Sequence, residues 1–261
     1  VTEKMKETIA AELFKAERDI EEVDKFTDKY PQLTTDIAYD IQELLVKKKI
    51  TAEKTSISGW KLGLTSKAKQ KMMGVHEPTY GVLLKSMQIS EDEAISLKPF
   101  IHPKIEPEIA FVFDKELKGP VSVPEVLAAT RYVAPALEII DSRYRNFSFT
   151  LTDVIADNSS SSRYIIGKQT FKPELVDFTL MGMVFKKNGE VVATSTAASV
   201  MGHPARAIAW MVNKLTARGQ SILPGQVVLS GALSGAMMME AGDEVSVGFD
   251  GIGHLEVTIT T

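Results

Sequence analysis

The sequence predicts an α+β protein in which a helical N-terminal region leads into a mixed sheet rolled towards a barrel. Two textures and one stretch predict it. Residues 1–55 carry helical periodicity, whereas residues 56–261 carry short alternating runs punctuated by Gly, Pro and Asn-Gly. The stretch 104–113 alternates with period two. Ile105, Pro107, Ile109, Phe111 and Phe113 face one way, and Glu106, Glu108, Ala110 and Val112 face the other. The two regions are expected to form one continuous domain, a helical part over 1–55 and a sheet-rich catalytic body over 56–261.

Residues 3–25, rich in Glu, Lys and Ala with Met5, Ile9, Leu13 and Phe14 near helical spacing, read as an amphipathic helix. Pro31 interrupts, and Thr34, Thr35 and Asp36 offer N-cap chemistry for a second helix. That helix sets Ile37, Ile41, Leu44 and Leu45 on one face and ends in a solvated run, Lys47-Lys48-Lys49, at the negative end of its dipole. Trp60, Leu62 and Leu64 then alternate with Lys61, Gly63 and Thr65, so Lys61 leaves a strand opposite Trp60 beside a glycine. Composition alone reads it as a surface lysine. A short helix over 66–73 closes at Gly74, and 80–84 is a strand. After the stretch 104–113 come a helix over 124–131, an apolar strand over 135–141, a polar loop over 156–162 and a strand over 163–166. Asn188-Gly189 joins two strands in a type I′ hairpin. Pro204 opens a helix with Ile208, Met211, Val212 and Leu215 on one face, which Gly219 stops. A strand over 227–230 runs into Gly231-Ala232-Leu233-Ser234-Gly235, which lacks the spacing of a phosphate loop, and a hairpin turning at Asp250-Gly251 closes the chain.

Composition excludes more than it assigns. With 261 residues, 44% hydrophobic and 25% charged, the chain has the makings of a sizeable core, and its net charge of −4 gives no electrostatic case for nucleic acid or an anionic membrane. No apolar run approaches the ~20 residues of a membrane span, and no apolar signal-peptide core follows the charged start. Cysteine is absent, which removes disulfides, thiolate catalysis and Cys-type zinc sites. Cytoplasmic residence is the expectation.

The chemistry concentrates in the acids. Glu106 and Glu108, at i and i+2 on a strand, stand roughly 7 Å apart at the backbone and can converge on one cation. The alternative is a half-exposed strand with a wet acidic face. Glu138 inside the apolar strand 135–141 favours the cation, because a buried carboxylate needs a partner. Three carboxylates on two strands suit a hard divalent ion such as Mg²⁺. The hydroxyls and amide of the loop 156–162 suit either a plain turn or a grip on a substrate carboxylate.

Gly59-Trp60-Lys61-Leu62-Gly63-Leu64-Thr65-Ser66, Lys104-Ile105-Glu106-Pro107-Glu108-Ile109, Leu137-Glu138-Ile139-Ile140-Asp141-Ser142-Arg143 and Ala156-Asp157-Asn158-Ser159-Ser160-Ser161 occur in this order and spacing. Together with the later Gly202-His203-Pro204 and Gly231-Ala232, they make nearly the whole chain resemble the 2-oxopent-4-enoate hydratase / 2-oxohex-3-enedioate (4-oxalocrotonate) decarboxylase family of meta-cleavage aromatic catabolism, which has the fumarylacetoacetase-type fold. The resemblance implies that Glu106, Glu108 and Glu138 bind Mg²⁺ or Mn²⁺ and that Lys61 lies beside the 2-oxo group of a small unsaturated 2-oxo dicarboxylic acid. It further implies that Thr79, Asn158, Ser160 and Ser161 contact that substrate. Hydratases of the family tend to carry an acid where Glu77-Pro78-Thr79-Tyr80-Gly81 has Thr79, and the segment 141–149 also looks like the decarboxylase version, although Arg145 departs from it. Both cues imply the decarboxylase, with the hydratase as the alternative and a non-catalytic metal or keto-acid binding module as a further one. The carbon–carbon hydrolases of this fold use a His and Glu dyad on a short helix, which residues 66–73 lack; His102, His203 and His254 read as structural. The family also implies homo-oligomers and a paired hydratase.

Overall fold

A computed structural model describes residues 2–72 and 74–261. Helix α1 (Glu3–Asp19) starts where the Thr2 side chain accepts from Met5 N and buries Ile9, Ala10, Leu13 and Ala16 along one stripe. It ends at Asp19, short of the expected residue 25. Ile20 turns left-handed at φ 57°, its N–H bonded to Ala16 O. The chain then runs as an extended strap, with Val23 N donating to Arg143 O and Arg145 N to Val23 O. These backbone bonds to a distant segment replace the helical ones that local sequence favours. After the single turn α2 (Phe26–Lys29), helix α3 (Thr35–Glu53) begins at the expected Thr34 cap, which accepts from Ile37 N. It continues past 47–49, and its last turn holds no basic residue. Lys49 is not solvated: it is 2% exposed and pairs at 2.7 Å with Glu17 of α1. Burial pushes the Glu17 carboxyl up, and Lys49 and Arg143 more than reverse this, bringing it to about 2.

The body opens with β1 (Ile57–Gly63), α4 (Lys67–Met72) and β2 (Thr79–Leu84). The expected last residue of the short helix, Met73, lies outside the described residues; Gly74 follows at φ +65°. Two short strands, β3 (Gln88–Ile89) and β4 (Ile95–Ser96), precede the long β5 (Lys104–Phe113). Helix α5 (Val123–Ala129) is capped by Ser122 and Glu125, and Thr130 and Arg131, expected at its end, already belong to β6 (Thr130–Ile140). Helix α6 (Leu151–Ala156) and β7 (Ser161–Ile166) flank a tight turn. The hairpin β8 (Gly182–Lys187) and β9 (Glu190–Thr196) turns at Asn188 and Gly189, both at positive φ as a type I′ turn requires. Helix α7 (Pro204–Ala217) buries Ile208, Met211, Val212 and Leu215, and its N-terminus is capped by His203 Nδ1 accepting from Ala205 N. The strands β10 (Val227–Leu229), β11 (Met237–Met238), β12 (Glu244–Phe249) and β13 (Gly253–Thr260) finish the chain.

One mixed sheet runs β2-β1-β10-β5-β6-β7-β3, with β11 also on β5. Its two edge strands, β2 and β3, are joined by a single turn over Lys85–Met87, so the sheet must curl until its edges come together. A second sheet, β4-β13-β12-β8-β9, packs through β12 and β13 against β6. The fold is α+β, a mixed sheet curled into a half-barrel with helices at its N-terminal end. Ile105, Ile109, Phe111 and Phe113 of β5 are buried in the core, which leaves the opposite face of that strand to the acids.

The Lys49–Glu17 pair ties α1 to α3, and removing one partner strands the other out of water. Lys49→Ala is expected to cost about 2 kcal/mol in urea unfolding. The Glu17 carboxyl lies near 2 in the fold against an ordinary 4.5, so its contribution is present above that ordinary value and fades as the pH falls towards 2. Lys49→Ala should weaken this acid-side dependence, Arg143 keeping part of it.

Candidate active site

The register of β5 on β6 sets Glu106 directly opposite Glu138 and Glu108 opposite Ala136. Glu106 and Glu108 share a face by alternation, and Glu138 joins them across the strand pair. One oxygen of each lies within 4.8 Å of the others. Glu106 is 7% exposed and the other two are fully buried, so the wet acidic face is excluded. Glu108 Oε2 accepts from Gly231 N at 2.7 Å, whereas Glu108 Oε1 and both oxygens of Glu138 have no hydrogen-bond partner. Gly231 can approach because it has no side chain: a Cβ there would fall 2.4 Å from Thr65 Oγ1, and its φ is +103°.

Lys61, expected at the surface, is 2% exposed. Its Nζ stands 3.1 Å from Glu138 Oε2 without the alignment of a hydrogen bond, and donates to Ser159 O at 3.1 Å. Burial, then the neighbouring Glu138, push the Glu108 carboxyl well above the usual range. Burial likewise raises Glu138, against the pull of Lys61. Converging, buried carboxylate oxygens, three of them on Glu108 and Glu138 without a hydrogen-bond partner, are what a hard divalent cation needs, and the all-oxygen donor set fits Mg²⁺ or Mn²⁺.

The turn between α6 and β7 positions the opposite wall. Asn158, Ser159 and Ser160 are all left-handed, at φ 50°, 53° and 56°. Each such residue costs on the order of 1–3 kcal/mol and persists only where its surroundings hold it. Here Asn158 Nδ2 donates to Val82 O at 2.9 Å and Asn158 Oδ1 accepts from Val82 N at 2.7 Å. Ser159 Oγ donates to Tyr80 O and Asp141 N to Ser160 O. The buried Arg143 braces the turn from behind through an ion pair with Asp157 and a 2.6 Å bond to Asp157 O. Gly81 leaves the necessary space, since a Cβ there would lie 2.6 Å from Asn158 O.

A cavity opens beside the acids. Lys61, Thr79, Glu106, Ser159 and Ser160 are its polar lining, and Ile140, Phe147, Phe149 and Val154 are part of its apolar lining. Of the expected substrate contacts, Thr79 and Ser160 line it. Asn158 does not: both ends of its amide are committed to Val82, so it anchors the turn. Ser161 also stands off the wall, its hydroxyl buried and without a partner. Ser159, the Gly231 N–H and the two phenylalanines were not assigned from the sequence. A serine row does not reveal that a left-handed turn aims the Ser159 carbonyl at Lys61 while its hydroxyl bonds Tyr80 O, and Gly231 reads in sequence only as part of a small-residue loop. His203 caps α7 and His102 Nδ1 lies 3.3 Å from Glu22, so both stand outside the triad.

The family model for the fumarylacetoacetate hydrolase C-terminal region matches residues 60–260. A 4-oxalocrotonate decarboxylase of Pseudomonas sp. (strain CF600) is 40% identical over 245 residues, 94% of this chain and 92% of that protein. A 2-hydroxyhexa-2,4-dienoate hydratase of Comamonas testosteroni is 38% identical over 97% of both chains. The structure of 4-oxalocrotonate decarboxylase from Pseudomonas putida G7, complexed with magnesium and adipate, is similar at a TM-score of 0.95 and 36% identity, covering 99% of this chain and 98% of that one. Sequence, fold and the acid triad agree, and the chain belongs to the fumarylacetoacetate hydrolase C-terminal family, among its decarboxylases and dienoate hydratases.

Proposed function

We propose that this chain is a Mg²⁺- or Mn²⁺-dependent decarboxylase of 2-oxohex-3-enedioate (4-oxalocrotonate), releasing CO₂ and 2-hydroxypenta-2,4-dienoate. Thr79 carries the choice. It lines the cavity, 2% exposed, where water addition calls for a group that can move protons. Among the described residues, the titratable groups lining the cavity are Lys61 and Glu106, and Glu106 belongs to the metal set. The hydratase is the second reading, favoured by the 38% identity to a dienoate hydratase. A simple binding module would not require a buried lysine against Glu138.

Held by Glu106, Glu108 and Glu138, the divalent ion supplies Lewis-acid polarisation of a 2-oxo acid. The residues of the chain do the rest. Ser160, a cavity-lining residue whose buried hydroxyl has no partner, offers a donor to the substrate's 1-carboxylate. The bond from C5 to the distal carboxyl carbon breaks, its electron pair shifts through the conjugated carbons to the 2-oxo oxygen, and CO₂ leaves. Lys61 Nζ, kept in place by Ser159 O, holds positive charge and a proton at that oxygen as negative charge develops there. Phe147, Phe149 and Ile140 exclude water from the departing group. Homo-oligomers and a partner hydratase that receives the reactive dienol complete the proposal.

Protein with Mg²⁺ is expected to release CO₂ from 2-oxohex-3-enedioate; hydration of 2-hydroxypenta-2,4-dienoate without CO₂ release would establish the hydratase instead. Lys61→Ala should lose on the order of 10²–10³ in kcat while Mn²⁺ still binds, as read by electron paramagnetic resonance. Burial pushes the Glu108 and Glu138 carboxyls up in the metal-free fold, so in chelated protein their contribution to stability is most favourable at or below the ordinary 4.5 and is lost as the pH rises above it. Thermal melts with and without Mg²⁺ check this, the ion restoring the melting temperature at about pH 8.

A further inference from the structure

The acid face of β5 begins one residue pair before Glu106. Lys104, Glu106 and Glu108 follow one another at i, i+2 and i+4, and the register shows no bulge among them. Lys104 is directly opposite Ile140, as Glu106 is opposite Glu138. Ile140 lines the cavity, so the Lys104 side chain leaves the sheet on the cavity side. Its Nζ rests 3.9 Å from the centre of the Phe147 ring, and Phe147 also lines the cavity. Among the described residues no carboxylate lies within ion-pair distance of this ammonium; the ring face is its one described polar contact. Phe147 is itself left-handed at φ 56°, in a loop that Glu22 fastens by accepting from Asn146 N at 2.9 Å. His102 also packs on Phe147, its Nδ1 3.3 Å from Glu22 and its buried Nε2 without a hydrogen-bond partner among the described residues.

The partly buried Lys104 thus shares the cavity face of β5 with Glu106, its Cα one strand repeat, roughly 7 Å, away. We propose that Lys104 is the specificity-determining residue that receives the distal carboxylate of a dicarboxylic substrate, and so distinguishes 2-oxo diacids from 2-oxo monoacids. The inference rests on the reading of the cavity as a 2-oxo acid site. A single ammonium shared with a ring face suits the task better than a bidentate clamp. Attraction to the carboxylate is lost as CO₂ departs, so a firm grip would stabilise the ground state and raise the barrier. Lys104 therefore contributes to substrate selection, and its effect belongs in KM.

Two unreactive ligands with one head group test this, 2-oxohexanedioate and 2-oxohexanoate, titrated calorimetrically into Mg²⁺-loaded protein. The unmutated chain should favour the diacid by about tenfold, the worth of one charge-assisted hydrogen bond near solvent. Lys104→Met should erase that preference with 2-oxohexanoate binding retained, which also reports an intact site, and Lys104→Arg should keep it. With 2-oxohex-3-enedioate, Lys104→Met should raise KM without lowering kcat. Equal affinities in the unmutated protein, or a preference that survives in Lys104→Met, would overturn the role of Lys104. If no CO₂ is released yet the preference depends on Lys104, the decarboxylase reading fails and this one stands. Failure of both acids to bind overturns both.

Discussion

Three carboxylates held side by side away from water are the constraint around which the molecule is arranged. At a separation of 4.8 Å and an effective dielectric of about 20, each like-charged pair repels by roughly 3 kcal/mol. Three such pairs rival the whole net stability of a domain, about 5–15 kcal/mol. The fold can tolerate them only if protons or a cation neutralise them. Lys61 at 3.1 Å and the Gly231 N–H at 2.7 Å offset part of the charge. A dication held there would offset the remainder and turn the liability into an electron-withdrawing centre.

Rigid elements make that geometry reproducible. Two of the acids ride on one strand and the third on its hydrogen-bonded neighbour, so register alone sets their convergence. The apolar side of β5 is sunk in the core, and a slip by one residue would exchange the acids for Pro107 and its isoleucine neighbours. Lys61 arrives from β1, two strands away through β10, and its ammonium is steadied by a carbonyl from the left-handed turn at 158–160. That turn is costly by itself. Val82, Tyr80 and Asp141 hold it with backbone hydrogen bonds, and the Arg143–Asp157 pair supports it from behind. Local strain there is balanced by tertiary contacts, as expected where a wall must present a carbonyl and a hydroxyl to one small volume.

The rest of the cavity divides polar from apolar work. Phe147, Phe149 and Ile140 create a poorly solvating wall, and Glu106 and Lys61 stand on the polar side. The strap at Val23 and Glu22 reaches this wall from the N-terminal region by gripping Arg143, Arg145 and Asn146. The helices at the start of the chain therefore do more than cover the sheet. They brace the loop that shapes the mouth of the site.

What the amino-acid order determined by itself was periodic or capped. The alternation of β5, the Thr34 cap, the Asn188-Gly189 hairpin, the apolar face of α7 and the shared face of Glu106 and Glu108 all follow from local spacing. Each depends on backbone geometry repeated over a few residues. Tertiary structure decided what depends on a partner far along the chain. It stopped α1 at Ile20 by pairing Val23 with the segment at 143–145, and it buried Lys49 against Glu17 and Lys61 against Glu138. It also committed Asn158 to Val82 rather than to the cavity, and turned Ser159 inward. A charged side chain looks the same in sequence whether it is solvated or paired. Only the arrival of its counter-charge, from a strand or helix remote in the chain, makes burial affordable.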